Sequence, residues 1–174
     1  PAGLANRALA LVADRVVAGI EGSFEERTGH RVGARIPRPR KDEWLGTPVR
    51  EEIAGVAPPE ARYAGRAGPL RLLVVGGSLG AQTLNDLIVA ALAAMPEASR
   101  PEVVHQAGER NFEALERRYR DAGVKAEVVA FIDDMAARYA WADFAICRGG
   151  ALTVSELAAV GLGALVVPLP GAIA

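Results

Sequence analysis

From residue 70 to the end, the chain alternates short apolar runs with stretches of helical spacing, and this alternation constrains its fold more than any other feature. The runs fall at residues 70–75, 103–106, 127–131, 144–147 and 165–167. Between them lie Leu84, Leu87, Ile88, Ala91 and Leu92 at helical intervals, then Phe112, Leu115 and Tyr119, then a short helix from Met135 to Tyr139, then a helix from about Leu152 to Val160. Strands this short and apolar, each separated from the next by a helix, imply a parallel sheet covered on both faces. The expected fold class is α/β, a Rossmann-like doubly wound parallel sheet. Residues 165–167 read as a buried strand.

The first part of the chain is less regular. Leu4, Ala8, Leu11 and Val12 have helical spacing, and residues 15–18 read as a strand leaving that helix. Residues 30–69 carry Pro37, Pro39, Pro48, Pro58, Pro59 and Pro69 in a charged, aperiodic stretch that reads as an inter-domain linker. Arg31, Arg35, Arg38, Arg40 and Lys41 form a basic run there, best read as a solvated connecting surface because no aromatic stacking platform accompanies it.

Composition narrows the function classes. A hydrophobic content of 51% across 174 residues supports a substantial core, and a net charge of −1 offers no global attraction to nucleic acid or an anionic membrane. The lone cysteine, Cys147, excludes an internal disulfide and suits a reducing compartment. Residues 157–174 carry no charge, yet Gly161, Gly163, Pro168, Pro170 and Gly171 would break a membrane span repeatedly. The chain opens at Pro1 without a signal-peptide pattern and ends on an apolar strand and a Pro-Gly turn, which reads as a fragment cut at both ends.

The residues suited to ligand chemistry follow the expected strands, where doubly wound sheets bind their ligands. After the first strand comes Gly76-Gly77-Ser78-Leu79-Gly80-Ala81. Gly76, Gly77 and Gly80 let backbone amides approach an anion, the next helix start adds its positive end, and Ser78 adds a hydroxyl. The spacing is neither a dinucleotide fingerprint nor a Walker A loop. A second cradle is expected at Gly149-Gly150, before the helix of Ala151, Leu152, Thr153, Val154, Ser155 and Glu156, so that the pair suits a diphosphate. Thr153 and Glu156 have capping-box spacing, and the competing role for Glu156 is to accept hydrogen bonds from two ribose hydroxyls. Asp133-Asp134 are expected to cap the next helix rather than bind metal, and Cys147 to be a buried small hydrophobe. His30 and His105 have no nucleophile at triad spacing.

Five segments taken together, residues 73–81, 105–108, 131–135, 148–156 and 46–50, closely resemble the MurG family of bacterial UDP-N-acetylglucosamine transferases of peptidoglycan synthesis. The resemblance departs at Gly149 and Thr47, where many members carry Ser and Asn. It implies a glycosyltransferase B arrangement, with 1–29 the end of the acceptor-side domain, 30–69 the linker and 70–174 a truncated UDP-sugar-binding domain. It further implies that Ile132 offers backbone groups to uracil and that Glu156 takes the ribose hydroxyls. Arg50 and Ser78 would lie on the diphosphate side, and Ala151, Leu152, Thr153, Val154 and Ser155 would line the nucleotide and sugar pocket. No cofactor, protein-bound metal or nucleic acid is implied, and no catalytic residue is named in this chain.

The partners implied are UDP-N-acetylglucosamine, lipid I reached through the other domain, and the cytoplasmic face of the cell membrane, touched peripherally. The implied activity is inverting transfer of N-acetylglucosamine to lipid I, giving lipid II; the chain alone is expected to be inactive. A non-catalytic UDP-sugar-binding subunit of a two-subunit transferase is the alternative. A sugar-nucleotide epimerase would need acids and bases this segment does not display.

Overall fold

The computed structural model describes residues 4–10, 12–21, 42–76 and 82–168. The chain divides into two compact units between Pro48 and Val49. In the first, helix α1 (Leu4–Leu9) precedes strand β1 (Val16–Ala18), which pairs in parallel with β2 (Asp42–Trp44) in the register Val17↔Glu43. The Thr47 hydroxyl donates to the Gly19 carbonyl at 3.3 Å.

The second unit opens with two short helices, α2 (Glu51–Ala54) and α3 (Pro59–Tyr63). Then follow β3 (Arg71–Val75), α4 (Gln82–Ala94), β4 (Glu102–Gln106), α5 (Phe112–Asp121), β5 (Glu127–Val129), α6 (Met135–Trp141), β6 (Phe144–Arg148), α7 (Ala151–Val160) and β7 (Ala164–Val167). The five strands form one parallel sheet in the order β5-β4-β3-β6-β7. This is the doubly wound arrangement expected from the alternation. Val75 pairs with both Gln106 and Cys147, so β3, β4 and β6 reach their carboxyl ends at one level.

Alternation along β3 separates two cores, because successive side chains leave opposite faces. Leu73 and Val75 pack with Ile53, Tyr139, Leu157 and Val160. Leu72 and Val74 pack with Leu84, Ile88, Leu92, Leu115 and Tyr119 on the other side.

The structure differs from the sequence expectations at four places. The stretch 30–69 is not simply a linker: it contains β2, α2 and α3, and Ile53 of α2 is only 1% exposed in the sheet core. Proline density hid these elements, although Pro59 at the start of α3 occupies a position where helices accept proline. In α4 the buried stripe is Leu84, Asn85, Ile88, Val89 and Leu92; Leu87 and Ala91 face outward. Strand β5 stops at Val129, leaving Phe131 exposed beyond it. Finally, β7 is an edge strand with Leu165 and Val166 exposed rather than a buried one.

Helix α7 ends at Gly161, which adopts a left-handed conformation (φ 62°). A Cβ there would lie 2.7 Å from the Pro59 Cγ, so α3 is seated directly against the helix end. Arg62 of α3 donates to the Val160 carbonyl at 2.9 Å, satisfying one of the carbonyls that a helix terminus leaves open.

Candidate functional site

Glu156 sits midway along α7 and is buried, although it carries a carboxylate. Burying a charge is tolerated only when it is paired and hydrogen-bonded. Two partners meet that need. Arg50 donates to Oε1 from Nε at 3.3 Å and from Nη2 at 3.1 Å, and the Tyr139 hydroxyl donates to Oε2 at 3.1 Å.

The fold explains the convergence. Arg50 is the residue before α2, and Ile53 anchors that helix in the core beside Leu157 and Tyr139. Tyr139 comes from α6, which packs beside α7. Burial pushes the Tyr139 phenol up, reinforced by the neighbouring Glu156 carboxylate, so the hydroxyl stays protonated and remains a donor. The Arg50 side chain is half exposed while that of Glu156 is buried, so the guanidinium closes the solvent side of the carboxylate.

The start of α7 differs from the capping-box expectation. Its N-cap is Gly150, which has no side-chain cap, and Thr153 lies in the first turn. Glu156 is therefore too far into the helix to be the reciprocal acid of a box beginning at Gly150. Among the described residues no backbone hydrogen bond engages the amides of Ala151, Leu152 and Thr153. These are three of the four donors that a helix start leaves open, and they favour an anion. The Ser155 hydroxyl is turned back onto the Ala151 carbonyl at 2.9 Å, while Leu152 and Val154 are exposed.

Ile132 lies just after β5 with its side chain buried, and neither its N–H nor its C=O bonds another backbone group among the described residues. A cavity of about 520 Å³ adjoins it, bounded by Phe131, Asp133, Asp134 and Arg138. Asp134 accepts from the Ala137 amide at 2.9 Å as the N-cap of α6, as expected for the aspartate pair. Of the glycine-rich loop only Gly76 is described; Gly77, Ser78 and Gly80 lie outside the described residues, as do His30 and the basic run from Arg31 to Lys41.

The site thus joins Arg50 and Glu156, two residues singled out in the sequence at separate subsites. Tyr139 was missed. Its only sequence signal was helical spacing, and the facing of α6 and α7 is a property of the fold. His105 is wholly buried between the Tyr119 hydroxyl (2.8 Å) and the Asn85 Oδ1 (3.1 Å), and burial lowers its pKa to about 4. Both ring nitrogens are occupied, consistent with a structural histidine. Cys147 is buried, and burial pushes its thiol up. Among the described residues no group of three or more His, Cys, Asp or Glu could hold a metal, and no helix is long and apolar enough to cross a membrane.

Residues 71–174 match the glycosyltransferase family 28 C-terminal domain. The chain belongs to this family. Within the family it is 55% identical over 172 residues to a protein of Aromatoleum aromaticum and 49% identical over 172 residues to one of Dechloromonas aromatica. Both are named UDP-N-acetylglucosamine--N-acetylmuramyl-(pentapeptide) pyrophosphoryl-undecaprenol N-acetylglucosamine transferase. Each alignment covers 99% of this chain but only 44% and 45% of the relative. The crystal structure of Acinetobacter baumannii MurG superposes with a TM-score of 0.76 at 34% identity, covering 99% of this chain and 44% of that one. The chain therefore spans a little under half the length of the family 28 transferases it matches.

Proposed function

We propose that the chain is the donor-binding part of an enzyme that transfers N-acetylglucosamine from UDP-N-acetylglucosamine to lipid I, forming lipid II. The observation that carries this reading is that α7 offers two complementary groups: uncapped amides in its first turn, and the buried carboxylate of Glu156 one turn further on. The amides suit a diphosphate and the carboxylate suits two vicinal hydroxyls, the two chemistries adjacent in a nucleoside diphosphate. Ile132, with its backbone groups free beside a cavity, takes the uracil. Ser78, Gly76, Gly77 and Gly80 complete the anion cradle, and residues 151–155 border the nucleotide and sugar.

In the reaction, the acceptor hydroxyl oxygen attacks the anomeric carbon as that carbon's bond to the diphosphate oxygen breaks, inverting the centre and releasing UDP. The hydroxyl proton passes to a base outside this chain. The role of the chain is to orient the donor and to stabilise charge growing on the leaving diphosphate through helix-start amides and Arg50. Acceptor binding and peripheral contact with the cytoplasmic face of the membrane are assigned to the other domain.

Calorimetric titration tests the reading. The chain should bind UDP and UDP-N-acetylglucosamine more tightly than ADP or NAD. Glu156→Gln should weaken UDP about tenfold or more, the cost of losing hydrogen bonds to a charged acceptor, while leaving pyrophosphate unchanged. Preference for NAD, or UDP binding indifferent to the substitution, would overturn the assignment.

A further inference from the structure

We infer that Tyr139 is a positioning residue for the donor nucleotide: its hydroxyl holds the Glu156 carboxylate in the orientation that accepts the two ribose hydroxyls once Arg50 has left it. This rests on the proposed role of Glu156 and extends it to the tyrosine that holds its second oxygen. A carboxylate presents about four lone-pair positions, two on each oxygen. On Glu156, Arg50 fills both positions of Oε1, through Nε and Nη2, and Tyr139 fills one of Oε2. Among the described residues, that leaves a vicinal diol engaging both oxygens a free position on Oε2 and none on Oε1. Arg50 must therefore surrender at least one hydrogen bond when the ribose arrives.

The two donors differ in their freedom to do so. The Arg50 side chain is 54% exposed and can swing away into solvent or toward the diphosphate. Tyr139 is 1% exposed, locked in the core with Ile53, Leu157 and Val160. Its phenol is protonated across the physiological range, and among the described residues its acceptor is Glu156. While the guanidinium is away, Tyr139 is the remaining donor among the described residues, compensating the buried charge and fixing the rotation of the carboxylate plane. The free lone pairs then face the opening that Arg50 vacates.

The test compares the full chain with Tyr139→Phe, which keeps the ring in the core. Titrations use UDP, 2′-deoxy-UDP and pyrophosphate, with melting temperature recorded alongside. The expected result is an affinity loss of about tenfold for UDP, a smaller loss for 2′-deoxy-UDP and none for pyrophosphate. The variant's preference for ribose over deoxyribose should therefore narrow. In a Glu156→Gln background, Tyr139→Phe should no longer change that preference. Unchanged UDP affinity in Tyr139→Phe, with Glu156→Gln impaired, overturns the inference while leaving the ribose reading standing. Equal losses for all three ligands, or a ribose preference that does not narrow, assign Tyr139 a packing role and overturn it as well. Failure of the parent chain to bind UDP, or a Glu156→Gln variant that binds as the parent does, removes the ribose reading and the inference together.

Discussion

The Arg50–Glu156 pair is lopsided: one partner is buried and the other has half its surface in water. The guanidinium can move into water, but the buried carboxylate cannot be left uncompensated, so Arg50 is displaceable only in exchange for another donor such as a ribose hydroxyl, with Tyr139 holding the other oxygen. This leads to opposite effects on two ligands. Arg50→Ala should improve binding of uridine by about fivefold, the net worth of one hydrogen bond no longer contested, because the ribose no longer competes with the guanidinium. The same variant should weaken UDP, whose diphosphate loses a cation. Titration of both ligands checks this; uridine affinity falling in parallel with that of UDP would show that Arg50 does not compete for Glu156. Arg50 was singled out by family resemblance alone, and Glu156 by its residue type, its place after a strand and the same resemblance. Their contact was not legible, because 106 residues of chain separate them and only the docking of α2 brings them together.

At the scale of elements, the strands of the sheet could be read directly, since a short apolar run between helices has few alternatives in an α/β chain. Helices α2 and α3 could not. With 4 and 5 residues they are too short to display a period, and their stability comes from tertiary docking rather than propensity. Ile53 is the main anchor. Ile53→Ala should cost about 2–5 kcal/mol, the range for emptying a buried aliphatic site. It should also weaken UDP and pyrophosphate binding together, because Arg50, the cation proposed for the diphosphate, loses its support. Chemical denaturation gives the first quantity and titration at a temperature where the variant is folded gives the second. A stability loss with both affinities intact would mean that α2 supports the fold alone. The capping-box reading failed for a related reason: Thr153 and Glu156 have the right spacing, but the helix begins at Ala151, before both.

The second unit as a whole has two cores on one sheet, and the one beneath α4 and α5 encloses the hydrogen-bonded network Asn85–His105–Tyr119. Burial holds the His105 imidazole at about 4 against its ordinary 6.5. On acidification the unfolded chain takes up this proton first. The stability due to neutral His105 is thus complete above the ordinary value and is lost as pH falls from about 6.5 to about 4, to a total of about 3 kcal/mol. His105→Gln removes this component. The melting temperature of the variant should fall less than that of the parent between about pH 7 and about pH 4.5, whatever the shared effect of the carboxylates. Identical slopes would show that His105 does not set the acid limit. The side of the sheet on which this network lies was not readable in advance, since both faces of a parallel sheet are apolar.

The seating of Pro59 against Gly161, and of Arg62 on the last carbonyl of α7, bears on how transferases of this family can be recombined. The recognisable family pattern starts at residue 71, but the compact unit starts at Val49. A chimaera joined near residue 70 would ask a foreign α2 and α3 to fit a native α7, replacing Arg50, Ile53 and Arg62 around an unchanged Glu156. Joined between Pro48 and Val49, the exchanged piece carries its own lock and its own key, and the proposed donor site travels with it as one inheritable module.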